Sequence, residues 1–151
     1  MTTMRELDGK IAVVSGAARG QGRAIARRLA AAGARIVAGD VLTDELASLG
    51  TELGDDAVLG HLDVREPASW ATLVERGADR FGRIDILVNN AGVLRRAALD
   101  RKTPGAFEDV WRVNCLGAFH GIQAVLPHLR RAGGGAIVNT LSTAASQRRT
   151  A

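Results

Sequence analysis

Within eight positions, Ser15-Gly16-Ala17-Ala18-Arg19-Gly20-Gln21-Gly22 gathers three glycines, a hydroxyl and a cation, a set suited to holding an anion. The β-branched run Ile11-Ala12-Val13-Val14 precedes it, and Ile25, Ala26, Leu29 and Ala30 recur at helical spacing after it. A strand, a glycine-rich turn and a helix in that order form a phosphate cradle. Gly16 can take a backbone conformation closed to other residues. Gly20 and Gly22 leave no Cβ between the backbone and a phosphate, or between helix and sheet. The amides of the helix's first turn then face the ligand, and the helix dipole favours its negative charge. The dipole contributes about 0.3–1 kcal/mol at an exposed site, so amide hydrogen bonds must supply much of the rest. The spacing Gly-x-x-x-Gly-x-Gly differs from the commoner Gly-x-Gly-x-x-Gly fingerprint and from the lysine-bearing P-loop.

Further candidates lie downstream. Asp40 stands 18 positions after Gly22, close to the spacing of an acid that reads a ribose. Its carboxylate would accept hydrogen bonds from the adenosine ribose and repel a 2′-phosphate, which favours NAD over NADP. Arg19 pulls the other way if it attracts that phosphate, and it has two further readings, contact with the diphosphate or with solvent alone. Asp40 carries the greater weight because it occupies the ribose-reading position. Asp63, Asn89-Asn90-Ala91-Gly92, Asn114 and Ser142 follow. Taken singly, each has a plain structural role: an Asx-turn for Asp63, turns for the asparagine pair, a loop for Ser142, and a satisfied backbone group for Asn114. Cys115, the sole cysteine, excludes an internal disulfide and reads as a small core residue. His61, His120 and His128 have no metal-ligand spacing, so no metal site is expected.

The elements that must position these residues are legible in order. Arg35 to Gly39 reads as a second strand ending at Asp40, and Thr43 as the cap of a short helix closed by Gly50. Ala57 to Leu62 reads as a third strand, and Pro67 opens a helix through Trp70, Leu73, Val74 and Ala78 to about Phe81. A fourth strand, Ile84 to Val88, delivers Asn89 to Gly92. One long helix is expected from Pro104 towards Arg130, then a fifth strand from Ala136 to Asn139 beyond Gly133-Gly134-Gly135. Strands alternating with helices generate an open parallel sheet through right-handed crossovers, so the fold class is α/β, a doubly wound Rossmann-like sheet. Ligands of such sheets sit beyond the carboxyl ends of the strands, where all the candidates fall.

The chain's 151 residues suffice for one domain that buries about 68–70% of its unfolded surface. Apolar residues make up 46% and charged ones 24%, a globular balance. A net charge of +4 raises the question of nucleic acid, but aromatics at 3% are too few for a stacking platform. A solvated basic surface with no nucleic-acid partner is the expectation. No signal peptide or uninterrupted apolar span of about 20 residues is evident, so a cytoplasmic protein without a membrane partner is expected.

Together, Ser15 to Gly22, Asp63-Val64, Asn89 to Gly92, Asn114 and Ile137-Val138-Asn139-Thr140-Leu141-Ser142 closely resemble the classical short-chain dehydrogenases/reductases. The resemblance runs from Leu7 to about Ser142. It implies that Asp63 and Val64 contact the adenine of a nicotinamide dinucleotide, and that Asn89, Ala91 and Gly92 line the cofactor. It implies further that Asn114 supports a bound water in a proton relay and that Ser142 hydrogen-bonds the substrate. The expected reaction is hydride transfer between NAD and a secondary alcohol or ketone. The opening resembles hydroxysteroid- and alcohol-type members.

The chain departs from the family at the proton carrier. Family chemistry uses a tyrosine, with a lysine one helical turn later that lowers its pKa and binds the nicotinamide ribose. No tyrosine is present, and the only lysines are Lys10 and Lys102. The expectation is therefore a cofactor-binding part that ends after about the fifth strand, with little activity alone. The alternatives are a non-catalytic dinucleotide-binding module and an interaction partner of a full-length relative. The fifth strand should lie at a sheet edge, uncovering part of the fourth, and favour self-association or a homo-oligomer.

Overall fold

The computed structural model describes residues 5–142. Its element order is β1 (Ile11–Ser15), α1 (Gly20–Ala31), β2 (Arg35–Asp40), α2 (Thr43–Leu53), β3 (Ala57–His61) and α3 (Pro67–Phe81), then β4 (Ile86–Asn89), α4 (Pro104–Trp111), a π turn (Arg112–Leu116), α5 (Gly117–Arg131) and β5 (Ala136–Asn139). The five strands form one parallel sheet in the order β3-β2-β1-β4-β5. The chain winds outward through β2 and β3, then returns to the other side of β1 for β4 and β5. The reversal between β1 and β4 opens a crevice at their carboxyl ends, as a doubly wound sheet requires.

Side-chain alternation divides the core. Ile11, Val13, Val37 and Leu87 face one layer with Trp70, Leu73 and Val74 of α3 and Val125 and Leu129 of α5. Ala12, Val14, Ile36 and Val88 face the other, with Ala26 of α1 and Leu46 and Leu49 of α2. Because both faces are covered, the inner strands are apolar along most of their length, and β1 is buried throughout.

Several expected boundaries are corrected. Thr43 is the first residue of α2 rather than its cap, and Leu42 precedes it without a side-chain cap. That helix does not stop at Gly50. A Cβ there would collide with the Leu59 side chain, so Gly50 is a packing glycine, and the helix runs on to Gly54 at φ 62°. The strand expected from Ile84 begins at Ile86, and the Asp85 side chain just before it is a buried acceptor for the Ile11 N–H at 3.1 Å. The single long helix is interrupted by the π turn, and its start is capped by Thr103, whose Oγ1 accepts from Ala106 N–H at 3.2 Å. Cys115 lies exposed on that turn, not in the core; Val113 and Gly117 to either side of it face inward instead. β5 occupies a sheet edge and is exposed along its length, but β4 stays covered, with Leu87 and Val88 buried.

Candidate functional site

The glycine loop is held by β4. Ser15 is buried, and its Oγ accepts the backbone N–H groups of Asn90 and Ala91, both at 3.1 Å. The Asn90 side chain returns the contact, donating Nδ2 to the carbonyls of Ser15 and Gly16, both at 3.2 Å. Gly16 at φ 68° passes so close to the segment following β4 that a Cβ would sit 2.8 Å from Ala91 Cα. Gly22 and Gly20 have separate tasks. A Cβ at Gly22 would collide with the Gly16 carbonyl, so this glycine lets α1 close on the loop. Gly20, at φ 55°, has nothing within 4 Å of where its Cβ would stand, and it faces open space.

That space is a cleft of about 580 Å³ at the carboxyl ends of the strands. Its lining brings together Gly16, Arg19, Gly20, Gln21 and Gly22 from the loop, Asp40 from β2, Asp63 and Val64 beyond β3, and Ala91 and Gly92 beyond β4. The volume lies within the ordinary range for small-molecule and cofactor sites, about 300–1,000 Å³. The glycine loop supplies a floor that a Cβ at Gly20 would obstruct. No acidic side chain occupies the first turn of α1, so none competes there for its amides. These features fit a dinucleotide whose diphosphate lies over the loop.

The carboxylates differ in what surrounds them. In Asp40, Oδ2 accepts the Ala18 N–H at 3.0 Å and Oδ1 the Leu42 N–H at 3.1 Å. Each oxygen keeps acceptor capacity for a ligand hydroxyl. Asp63 makes the Asx-turn to Arg65 N–H at 3.0 Å, and the Arg65 guanidinium grips its carboxylate, Nε to Oδ1 at 2.9 Å and Nη2 to Oδ2 at 2.6 Å. That hydrogen bonding holds the Asp63 carboxyl below the ordinary carboxylate range despite partial burial. Val64 is buried, and its carbonyl accepts the Trp70 indole N–H at 3.2 Å, which fixes the cleft wall to α3.

Three predicted residues lie outside the lining. Asn89 points into the protein; its Nδ2 donates to Ala118 O at 3.3 Å and to Asn139 Oδ1 at 2.9 Å. It therefore ties β4 to α5 and β5, while Asn90 turns towards the loop. Asn114 closes a two-bond ring with Val93, accepting its N–H at 2.8 Å and donating to its carbonyl at 2.9 Å. It thereby fixes the segment following Gly92. Ser142 is exposed beyond the carboxyl end of β5. Sequence reasoning missed the weight carried by Ser15 and Asn90, although both stood in the quoted motifs. The signal was their spacing at the ends of adjacent strands.

Comparison with known proteins agrees with this architecture. The family profile described as short chain dehydrogenase matches residues 10–151. A 3-alpha-(or 20-beta)-hydroxysteroid dehydrogenase of Mycobacterium bovis is 40% identical over 90% of this chain and 52% of its own length. A D-threitol dehydrogenase of Mycolicibacterium smegmatis is 44% identical over 93% of this chain and 55% of its own. A trans-4-hydroxycyclohexanecarboxylate dehydrogenase of Sinomonas cyclohexanicum is 40% identical over 89% and 55% respectively. The chain thus spans about half the length of the curated relatives it matches. By the extent of the profile and the identity of these relatives, the chain belongs to the short chain dehydrogenase family.

Proposed function

We propose that this chain is the cofactor-binding part of an oxidoreductase that transfers hydride between NAD and a secondary alcohol or ketone. The observation carrying the reading is the cleft in which the Asp40 carboxylate faces the glycine loop across the carboxyl end of the sheet. In this reading Gly16, Arg19, Gly20, Gln21 and Gly22 bind the diphosphate, and Asp40 accepts from the adenosine ribose. Asp63 and Val64 bound the adenine, and Ala91 and Gly92 form the wall beside the nicotinamide half. Asn114 acts through Val93 on that wall, and Ser142 orients substrate. A bound nicotinamide dinucleotide supplies the hydride donor or acceptor. These 151 residues offer no tyrosine as proton carrier. General acid–base catalysis is typically worth 10²–10⁴-fold, so turnover by this chain alone is expected at background.

The preference for NAD rests on charge. Two like unit charges about 4 Å apart at an effective dielectric near 20 repel by roughly 4 kcal/mol before relaxation and screening. Calorimetric titration of NAD and NADP against wild type and Asp40→Asn tests this. Tighter NAD binding in wild type and a ratio moved towards NADP in the variant are expected; equal affinities in wild type would refute the assignment. The relatives' names point to carbocyclic and polyol alcohols as substrate classes. A cytoplasmic location belongs to the same reading; no helix among the described residues is long and apolar enough to cross a membrane. Self-association is a further part of it, supported by the exposure of Ile137 and Val138 on an edge strand.

A further inference from the structure

Arg23, on the first turns of α1, is turned away from the cleft and is not among its lining residues. Its side chain is only 21% exposed and reaches three parts of the structure. Nη1 lies 3.2 Å from the Ala18 carbonyl, 3.2 Å from the Glu45 carbonyl and 2.7 Å from Ser48 Oγ. Nη2 pairs with the Glu52 carboxylate. Nη1 carries two protons for its three acceptors, so these bonds form one shared network.

The residue Ala18 is held on both of its main-chain polar groups. Its N–H is bound by Asp40 Oδ2 at 3.0 Å and its carbonyl by Arg23. Asp40 also holds the entry to α2 through the Leu42 N–H at 3.1 Å, and Arg23 grips the body of α2. The glycine loop and α2 are thus joined twice, once by an anion at the cleft and once by a cation behind it.

We propose that Arg23 is a positioning residue for nucleotide selectivity: by fixing the Ala18 carbonyl against α2, it fixes the residue whose N–H orients the Asp40 carboxylate. This rests on the dinucleotide-binding reading above. A carboxylate aimed at the ribose distinguishes NAD from NADP; one free to swing accepts less well from NAD and repels NADP less. The sign separates this role from a bare charge effect. Removing a cation that acted only by its charge would weaken the more anionic NADP more than NAD.

The test is calorimetric titration of NAD and NADP against the 151-residue chain and its Arg23→Gln, Arg23→Lys and Arg27→Gln variants, with thermal melting alongside. Arg27→Gln is the control, because Arg27 also pairs with Glu52, at 3.3 Å, but makes no hydrogen bond to the loop. Arg23→Gln is expected to weaken NAD about tenfold and NADP less than about threefold. Arg23→Lys should recover only part of the loss, since one ammonium cannot reproduce the guanidinium fork. Arg27→Gln should leave both affinities unchanged. A lower melting temperature with unchanged affinities in Arg23→Gln would reduce Arg23 to a structural support and overturn the proposal. An equal or larger loss for NADP would overturn it as well. Failure of wild type to bind either dinucleotide would refute the underlying reading and the proposal together.

Discussion

Ile11–Ser15 and Ala136–Asn139 are built from the same kinds of residue, yet β1 is buried at every position and β5 exposed at every position. Both are short β-branched runs ending in a polar residue, and both pair with β4. The difference lies in the neighbours. β1 has a strand on either side and helices over both faces, whereas β5 has one strand beside it. Residue type specifies the strand; burial is conferred by what the rest of the chain lays against it.

The sharpest way to break this comparison is a matched truncation. Ile11→Ala should destabilise by about 2–4 kcal/mol through lost burial and a cavity, whereas Ile137→Ala should cost under about 1 kcal/mol. Urea unfolding of the two variants measures both, and similar losses would mean that β5 is as well covered as β1.

A second contrast lies at the amino ends of the strands. Asp85, just before β4, accepts the Ile11 N–H and pairs with Arg83 and Lys10. Burial pushes its carboxyl up, but the Arg83 hydrogen bond, the Ile11 amide and the nearby cations outweigh burial and hold it below its ordinary value. Its contribution is therefore complete above the unfolded-state pKa near 3.9 and is lost as pH falls through the lower folded value. Asp85→Asn should cost about 1–3 kcal/mol at neutral pH and flatten the acid limb of the stability profile, which thermal melts across pH would register.

Smaller in stability but larger in binding is Gly20→Val. A β-branched residue at φ 55° should cost roughly 1–2 kcal/mol and block the cradle, abolishing dinucleotide binding with helix content nearly unchanged. Circular dichroism and calorimetry together check it, and retained binding would make the loop a structural turn only. Smallest of all is Val138→Lys, expected within about 0.5 kcal/mol of wild type. It should nevertheless shift sedimentation towards the monomer if the β5 edge drives association.

The sheet, its order of elements and most of the cleft were legible because each signal was local. The apolar run before Ser15, the glycines after it and Pro67 at the start of α3 each dictate their own backbone. What escaped depended on neighbours distant in sequence. Gly50 reads as a helix stop until Leu59 lies against it, and Cys115 reads as core until Val113 and Gly117 take the inward positions. The division of labour between Asn89 and Asn90 is likewise invisible in sequence, because alternation at the end of β4 decides which one meets the loop and which meets Asn139.

The π turn at Arg112–Leu116 has a consequence for how the helix is phased. An α-helix advances about 100° per residue, so the same residues wound as α throughout would rotate α5 against α4 by about that angle. Gly117, Gly121, Val125 and Leu129 form the buried stripe of α5, with Gly117 against Val64 and Gly121 against Trp70. Regular winding anchored on α4 would swing that stripe out of contact, and winding anchored on α5 would carry Asn114 away from Val93. The widened turn acts as a one-residue phase shift, letting Asn114 on the turn hold Val93 while the stripe of α5 closes the core.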